Sequence, residues 1–141
     1  MKEDLLLKNI SYLPEEIINI IKEYIPKTTW VFLTKTHYLL YHKLIKNHIN
    51  YYESYIRSII KNDNDFVFER IFQENYKIWL NKYNYRYQNI IFKNFLFFII
   101  DYCVVNGSSR CKLIIDNFLK EHGLMKNLHK KNIIKYIKWK N

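Results

Sequence analysis

The sequence predicts an all-α protein, and three observations point there. Glycine and proline number two each in 141 residues, too few to punctuate a sheet with many turns. Apolar residues recur at three- and four-residue intervals rather than at alternate positions. They make up 49% of the chain, with aromatics at 18%, so composition excludes disorder and supports a sizeable core. The expected helices cover 3–9, 14–25, 28–34, 36–48, 51–61, 64–81, 86–105, 108–122 and 127–139. They form either one continuous domain or a small helical module over 1–50 followed by a compact, basic bundle of helical hairpins over 51–141.

The second helix has the clearest boundaries. Pro14 suits a first turn, where its missing N–H costs nothing. Glu15 and Glu16 set negative charge at the positive end of the helix dipole. Ile17, Ile18, Ile21 and Ile25 fall on one stripe. Pro26 stops the helix by pushing Ile25 out of the α region. A short apolar run from Trp30 to Leu33 and a helical pattern from Tyr38 to Ile49 follow. Further on, Asn62-Asp63-Asn64-Asp65 supplies a turn and an N-cap for a helix carrying Val67, Phe68, Ile71, Phe72 and Ile78. Asn106-Gly107-Ser108-Ser109 does the same for a helix carrying Cys111, Ile114, Ile115, Phe118 and Leu119. Gly123 is a fitting helix stop. Ile59-Ile60 before Asn62 parallels Val104-Val105 before Asn106 at an offset of about 45 residues. That spacing is compatible with a degenerate repeat of two helix pairs and equally with two independent hairpins.

The stretch from Leu13 onward resembles the start of an F-box. Leu13-Pro14, Glu16, Ile17, Ile21 and Tyr24-Ile25 follow the family's opening pattern. Leu33-Thr34-Lys35-Thr36-His37-Tyr38 is similar to its basic-plus-aromatic segment, with Tyr38 near the usual tryptophan. Two features depart from the pattern: the turn after Ile25 is about two residues short, and Thr28-Thr29-Trp30 replaces the usual Asp-Leu. The resemblance covers roughly residues 11–48. It implies a three-helix N-terminal module in a non-enzymatic adaptor that binds a Skp-type linker protein of cullin ubiquitin ligases. The binding face would comprise Leu13, Pro14, Ile17, Ile18, Ile21 and Ile25, supported by Leu33 and Tyr38. The C-terminal helices would recruit a target protein. Phe, Tyr, Asn, Ile and Lys supply 79 of 141 residues and alanine is absent, the signature of AT-rich coding. In this the chain looks like the divergent F-box-like proteins of giant viruses, which places it inside a host cell, in cytoplasm, nucleus or virion.

Charge suggests an alternative. Residues 1–70 carry 10 basic and 9 acidic side chains, whereas residues 71–141 carry 13 basic and 4 acidic. Coding bias acts on both halves, so it does not explain a net +9 in the second. Such asymmetry favours an acidic partner. If 127–139 is helical, Lys131, Lys135 and Lys138 line one face, with Lys126 and Lys130 nearby. Trp139 could then stack on bases. Arginine is missing from this segment, so nucleic-acid binding there would be non-specific, as expected of a minor structural or nucleic-acid-associated protein of a large DNA virus.

Other functions find little support. The five histidines form no i, i+4 pair and sit beside neither cysteine, so no metal is expected. Neither a glycine-rich phosphate loop nor a nucleophile elbow occurs, so no catalytic residue and no cofactor are expected. Cys103 and Cys111 read as a reduced pair. The run Ile90–Val105 is interrupted by Lys93, Asn94 and Asp101 and is too polar to span a bilayer. The aromatic series from Tyr76 to Phe98 reads as core, with the tyrosine-rich interval Asn81–Gln88 as an exposed loop.

Overall fold

The computed structural model describes residues 12–123 and 133–138, so the helix expected at 3–9 lies outside the described residues. The chain divides into two compact units, 1–52 and 53–141. In the first, helix α1 spans Glu15–Tyr24, α2 spans Lys27–Trp30 and α3 spans Lys35–His48. Pro14 precedes α1 in extended conformation, and its carbonyl accepts from the N–H groups of Ile17 and Ile18. Ile25 turns extended before Pro26, which ends α1. Thr34 caps α3, its hydroxyl accepting from His37 N at 3.1 Å. Tyr38 and Ile45 of α3 are buried, as is Val31 in the preceding turn.

The second unit opens with α4 (Tyr52–Lys61) and α5 (Asp65–Asn81). Strands β1 (Tyr83–Tyr87) and β2 (Ile90–Asn94) follow, then α6 (Phe95–Val105), α7 (Ser109–Glu121) and β3 (Ile133–Tyr136). The strands form one antiparallel sheet in the order β1-β2-β3.

The fold is therefore mostly helical rather than all-α, and three of the expected helices change. The helix expected at 28–34 is a single turn, Lys27–Trp30, with the apolar run beyond it in a turn at 31–33. The helix expected at 86–105 shortens to Phe95–Val105, because residues 83–94 make a hairpin. Tyr83, Tyr85 and Tyr87 alternate with Asn84 and Arg86, and Ile90-Ile91-Phe92 is β-branched and aromatic, which together favour strands. Gln88 takes φ 50° at the first position of a two-residue turn, the positive φ that tight hairpins require. The helix expected at 127–139 is replaced at 133–136 by β3, whose backbone completes the open side of β2. The interval read as a loop, Asn81–Gln88, is mostly β1.

Helix α6 is the centre of this unit, with Phe95 to Ile100 and Cys103 all buried. Phe95 meets Trp79 of α5 edge-on at 5.4 Å and Tyr85 of β1 at 4.7 Å; Phe98 meets Phe92 of β2 at 5.6 Å. Phe72 of α5 meets Phe118 of α7 at 5.0 Å. Each such ring pair contributes roughly 0.5–1.5 kcal/mol beyond the area it buries. Asn94 caps α6 by accepting from Phe97 N at 3.0 Å.

The corners α4–α5 and α6–α7 share one backbone design. Asn62 N bonds Ser58 O, Asp63 N bonds Ile60 O, and Asn64 N bonds Ile59 O. Asp65 N then bonds Asp63 O and Phe68 N bonds Asn64 O. Each bond has a counterpart 44 positions later (62 to 106), from Asn106 N–Tyr102 O to Lys112 N–Ser108 O. Asp63 at φ 49° corresponds to Gly107 at φ 66°, the left-handed residue that closes each helix. Buried positions correspond as well: Ile56 with Ile100, Ile59 with Cys103, Val67 with Cys111, and Ile71 with Ile115.

The corners also hold each other. The Ser108 hydroxyl, buried, donates to the carbonyl of Ile60 rather than capping its own helix. Asp63 takes over as the cap of α7. Its carboxylate accepts from Cys111 N at 2.9 Å and from Arg110 N at 3.1 Å. Desolvation pushes the Asp63 pKa up, but the hydrogen bonds from Cys111 and Arg110 outweigh it and hold the carboxyl below its ordinary value.

Asp63→Ala removes both acceptors and puts at positive φ a residue that tolerates it less well than aspartate, so urea unfolding should report a loss of about 1–3 kcal/mol. Asp63→Asn, which keeps one acceptor and tolerates this backbone, should lose less than half as much. A lowered carboxylate pKa stabilises fully above the unfolded-state value and is lost as pH falls through the folded one. The gap between wild type and Asp63→Ala should therefore narrow below about pH 4.

Candidate functional site

Helix α1 has the right ends and pattern for a buried amphipathic helix, yet none of its residues is buried. Leu13 is 37% exposed, Ile17 42%, Ile20 50% and Ile21 43%. Pro14 is exposed, while Ile18 and Ile25 are half-buried. The isoleucines thus split into an inner line, Ile18 and Ile25, and an outer line, Ile17, Ile20 and Ile21. Leu33 is also largely exposed, next to an equally exposed Phe32. Exposed apolar side chains are ordinary one at a time, but a continuous strip on one helix marks an interaction surface.

Tyr38 does not belong to that surface. It is 4% exposed and stacks on His42 at 5.5 Å, so its role in this module is internal packing. An aromatic at helical spacing from Ile45 is drawn inward, whatever the family pattern places there. Sequence reasoning passed over Ile20, Phe32 and Leu40, all exposed. Ile20 was legible in principle, since it lies three residues after Ile17.

Beside α1 the first unit has a cavity of about 380 Å³ whose lining includes Lys22, Lys27, Trp30, His37 and Tyr41. The His37 ring lies 5.3 Å from that of Trp30 and stacks on Tyr41 at 6.3 Å. Its Nδ1 is 2.8 Å from Thr34 Oγ1, which fixes the imidazole orientation.

In the second unit the charged groups serve mainly to hold structure. Glu53 accepts from Lys82 Nζ and, at 2.8 Å, from the Tyr85 hydroxyl, tying α4 to β1. Burial raises the Glu53 pKa, but these hydrogen bonds prevail and lower it; burial and the Glu53 contact both raise that of Tyr85. Cys103 and Cys111 are buried free thiols; burial pushes the Cys103 pKa up to about 12 and raises that of Cys111 as well. Neither is a thiolate near neutral pH, so neither is poised as a nucleophile. Among the described residues no group of three His, Cys, Asp or Glu side chains could hold a metal. No described helix is long and apolar enough to cross a membrane.

Of the lysine-rich segment, Lys126, Lys130, Lys131 and Trp139 lie outside the described residues. Lys135 and Lys138 are exposed, Lys135 on β3 and Lys138 just beyond it. A strand alternates its side chains, so the one-faced lysine line expected of a helix does not form at 133–136. No protein-family model matches the chain, and comparison with curated proteins and with solved structures finds no match.

Because Ile17 and Ile21 contribute little to the core, Ile17→Asp/Ile21→Asp should keep the native far-UV circular dichroism spectrum. Its Tm should stay within about 4 °C of wild type, as surface substitutions usually do.

Proposed function

We propose that the chain is a non-enzymatic adaptor. The N-terminal region, roughly residues 11–48, acts as an F-box-like module that docks a Skp-type linker protein, while the C-terminal unit recruits a target for ubiquitin ligation. One observation carries the reading: Leu13 and, on α1, Ile17, Ile20 and Ile21 form an apolar strip at spacing suited to a helical partner, yet none of the four is buried. A module of this size gains stability by burying every aliphatic it can. Leaving four on one strip between 37% and 50% exposed forgoes roughly half of the ~1.5–3 kcal/mol that full burial of each would contribute. A partner that covers the strip recovers it.

The local architecture fits the same role. The Pro14 entry, the Pro26 stop and the Thr34 cap give three short helices with tight turns, the arrangement that the F-box resemblance implies. The linker's own apolar helices would pack along the outer line of α1, with Leu33 and Phe32 extending the contact and the half-buried Ile18 and Ile25 backing it. Helix-in-groove recognition of this kind depends on a few aliphatic anchors rather than on total area.

The test is a quantitative pull-down with a purified Skp-type protein. Wild type should bind, and Ile17→Asp/Ile21→Asp, which stays folded, should bind at least tenfold more weakly, since each aspartate carries charge into a desolvated contact. Equal retention of both proteins, or retention of neither, would remove the adaptor reading.

A further inference from the structure

We propose that the outer face of the three-stranded sheet binds nucleic acid through its phosphate backbone. The argument starts from register. Arg86 of β1 pairs with Ile91 of β2, and Ile91 pairs with Lys135 of β3. Cross-strand partners share a face, so Arg86, Ile91 and Lys135 make one row across the sheet. Lys93, two positions beyond Ile91, points the same way. The opposite face is spent on the core: Phe92 is buried, and Tyr85 and Tyr87 stack on Phe98 at 4.8 and 4.7 Å. An antiparallel sheet with one packed face leaves the other to solvent, and here Arg86, Lys93 and Lys135 are all exposed on it.

These cations have no structural employment. Among the described residues none of the three pairs with a carboxylate; Arg86 makes one hydrogen bond, to Gln88 O at 3.4 Å. Lys82 and Lys112, by contrast, are each tied to an acid, Glu53 and Asp116. No acidic residue occurs between Glu74 and Asp101, a span that includes the whole hairpin. With strands about 4.8 Å apart, the row sets its two end cations roughly 10 Å apart over an uncharged centre. The surface is complementary to a polyanion.

Nucleic acid fits better than a lipid surface. Beside the cations the face offers the half-buried Ile91, with Ile134 exposed where β3 bulges against it, an apolar area too small to insert among acyl chains. The exposed tyrosines of the edge strands, Tyr83 and Tyr136, register with Asn94 and Ile90 and so belong to the other face; the cationic face therefore offers charge for phosphates rather than rings for bases. The lysine segment expected to bind as a helix contributes here through Lys135 alone, joined by Arg86 and Lys93, which strand register brings to it.

Fluorescence anisotropy of full-length protein with a labelled oligothymidylate, at several salt concentrations, tests this. Arg86→Glu/Lys93→Glu/Lys135→Glu should weaken binding at least tenfold, and the corresponding glutamine triple variant by less. Loss of three contacts should also flatten the log–log salt dependence by about 2. Lys43→Glu/Lys61→Glu/Lys120→Glu changes net charge equally at exposed sites elsewhere and should bind within threefold of wild type. Unchanged circular dichroism identifies folded variants, and the glutamine set serves if the glutamate set unfolds. Equal loss in both glutamate sets, no binding by wild type, or tighter binding to phosphatidylserine vesicles or polyglutamate than to the oligonucleotide would overturn the proposal.

Discussion

Two polar contacts between the corners of the second unit hold the rest of it in place. Ser108 gives its hydroxyl to the carbonyl of Ile60, and Asp63 gives its carboxylate to the first N–H groups of α7. Each corner supplies what the other lacks. Neither group could be left unpaired, because a buried hydroxyl or an orphaned helix N–H costs on the order of 1–3 kcal/mol. This exchange fixes how α4–α5 and α6–α7 stack, and thus where α6 lies and where Phe95 and Phe98 meet the hairpin. The polar clasp sets the geometry; the aromatic core supplies most of the free energy.

The two units handle apolar surface in opposite ways. In the second, nearly every aromatic from Phe68 to Phe98 finds a ring partner, and the first six residues of α6 are buried on all sides. In the first, α1 carries four isoleucines in ten residues and buries none of them. The difference lies in what surrounds each helix. Helix α6 has α5, α7 and two strands around it, whereas α1 shares its module with α2, only four residues long, and α3.

Much of this was legible in the sequence. Pro14, Pro26, Asn64 and Gly107 mark helix ends by local chemistry, and those ends fall where such residues put them. The likeness of the two corners was visible in Asn62 and Asn106, although only the backbone bonds fix the offset at 44 positions (62 to 106). The hairpin was also written there, in Tyr83, Tyr85 and Tyr87 alternating with polar residues. The long apolar run beginning at Ile90 masked it, because a buried strand followed by a buried helix reads as one segment. Strand β3 was out of reach: Ile133-Ile134-Lys135-Tyr136 suits either state, and pairing with β2 some forty residues away decides it. Exposure of the α1 strip was equally illegible, since periodicity identifies an apolar face but not its neighbour.

That distant pairing has its own consequence. The hairpin can form from neighbouring residues, but its third strand must wait until α6 and α7 have turned the chain back, and closing so long a loop makes it the costliest strand to place. Arg86 and Lys93 come with the early piece and Lys135 only with the late one. The cationic row is therefore a property of the finished unit alone: a chain still emerging, or one whose edge has peeled away, has the charges without their alignment.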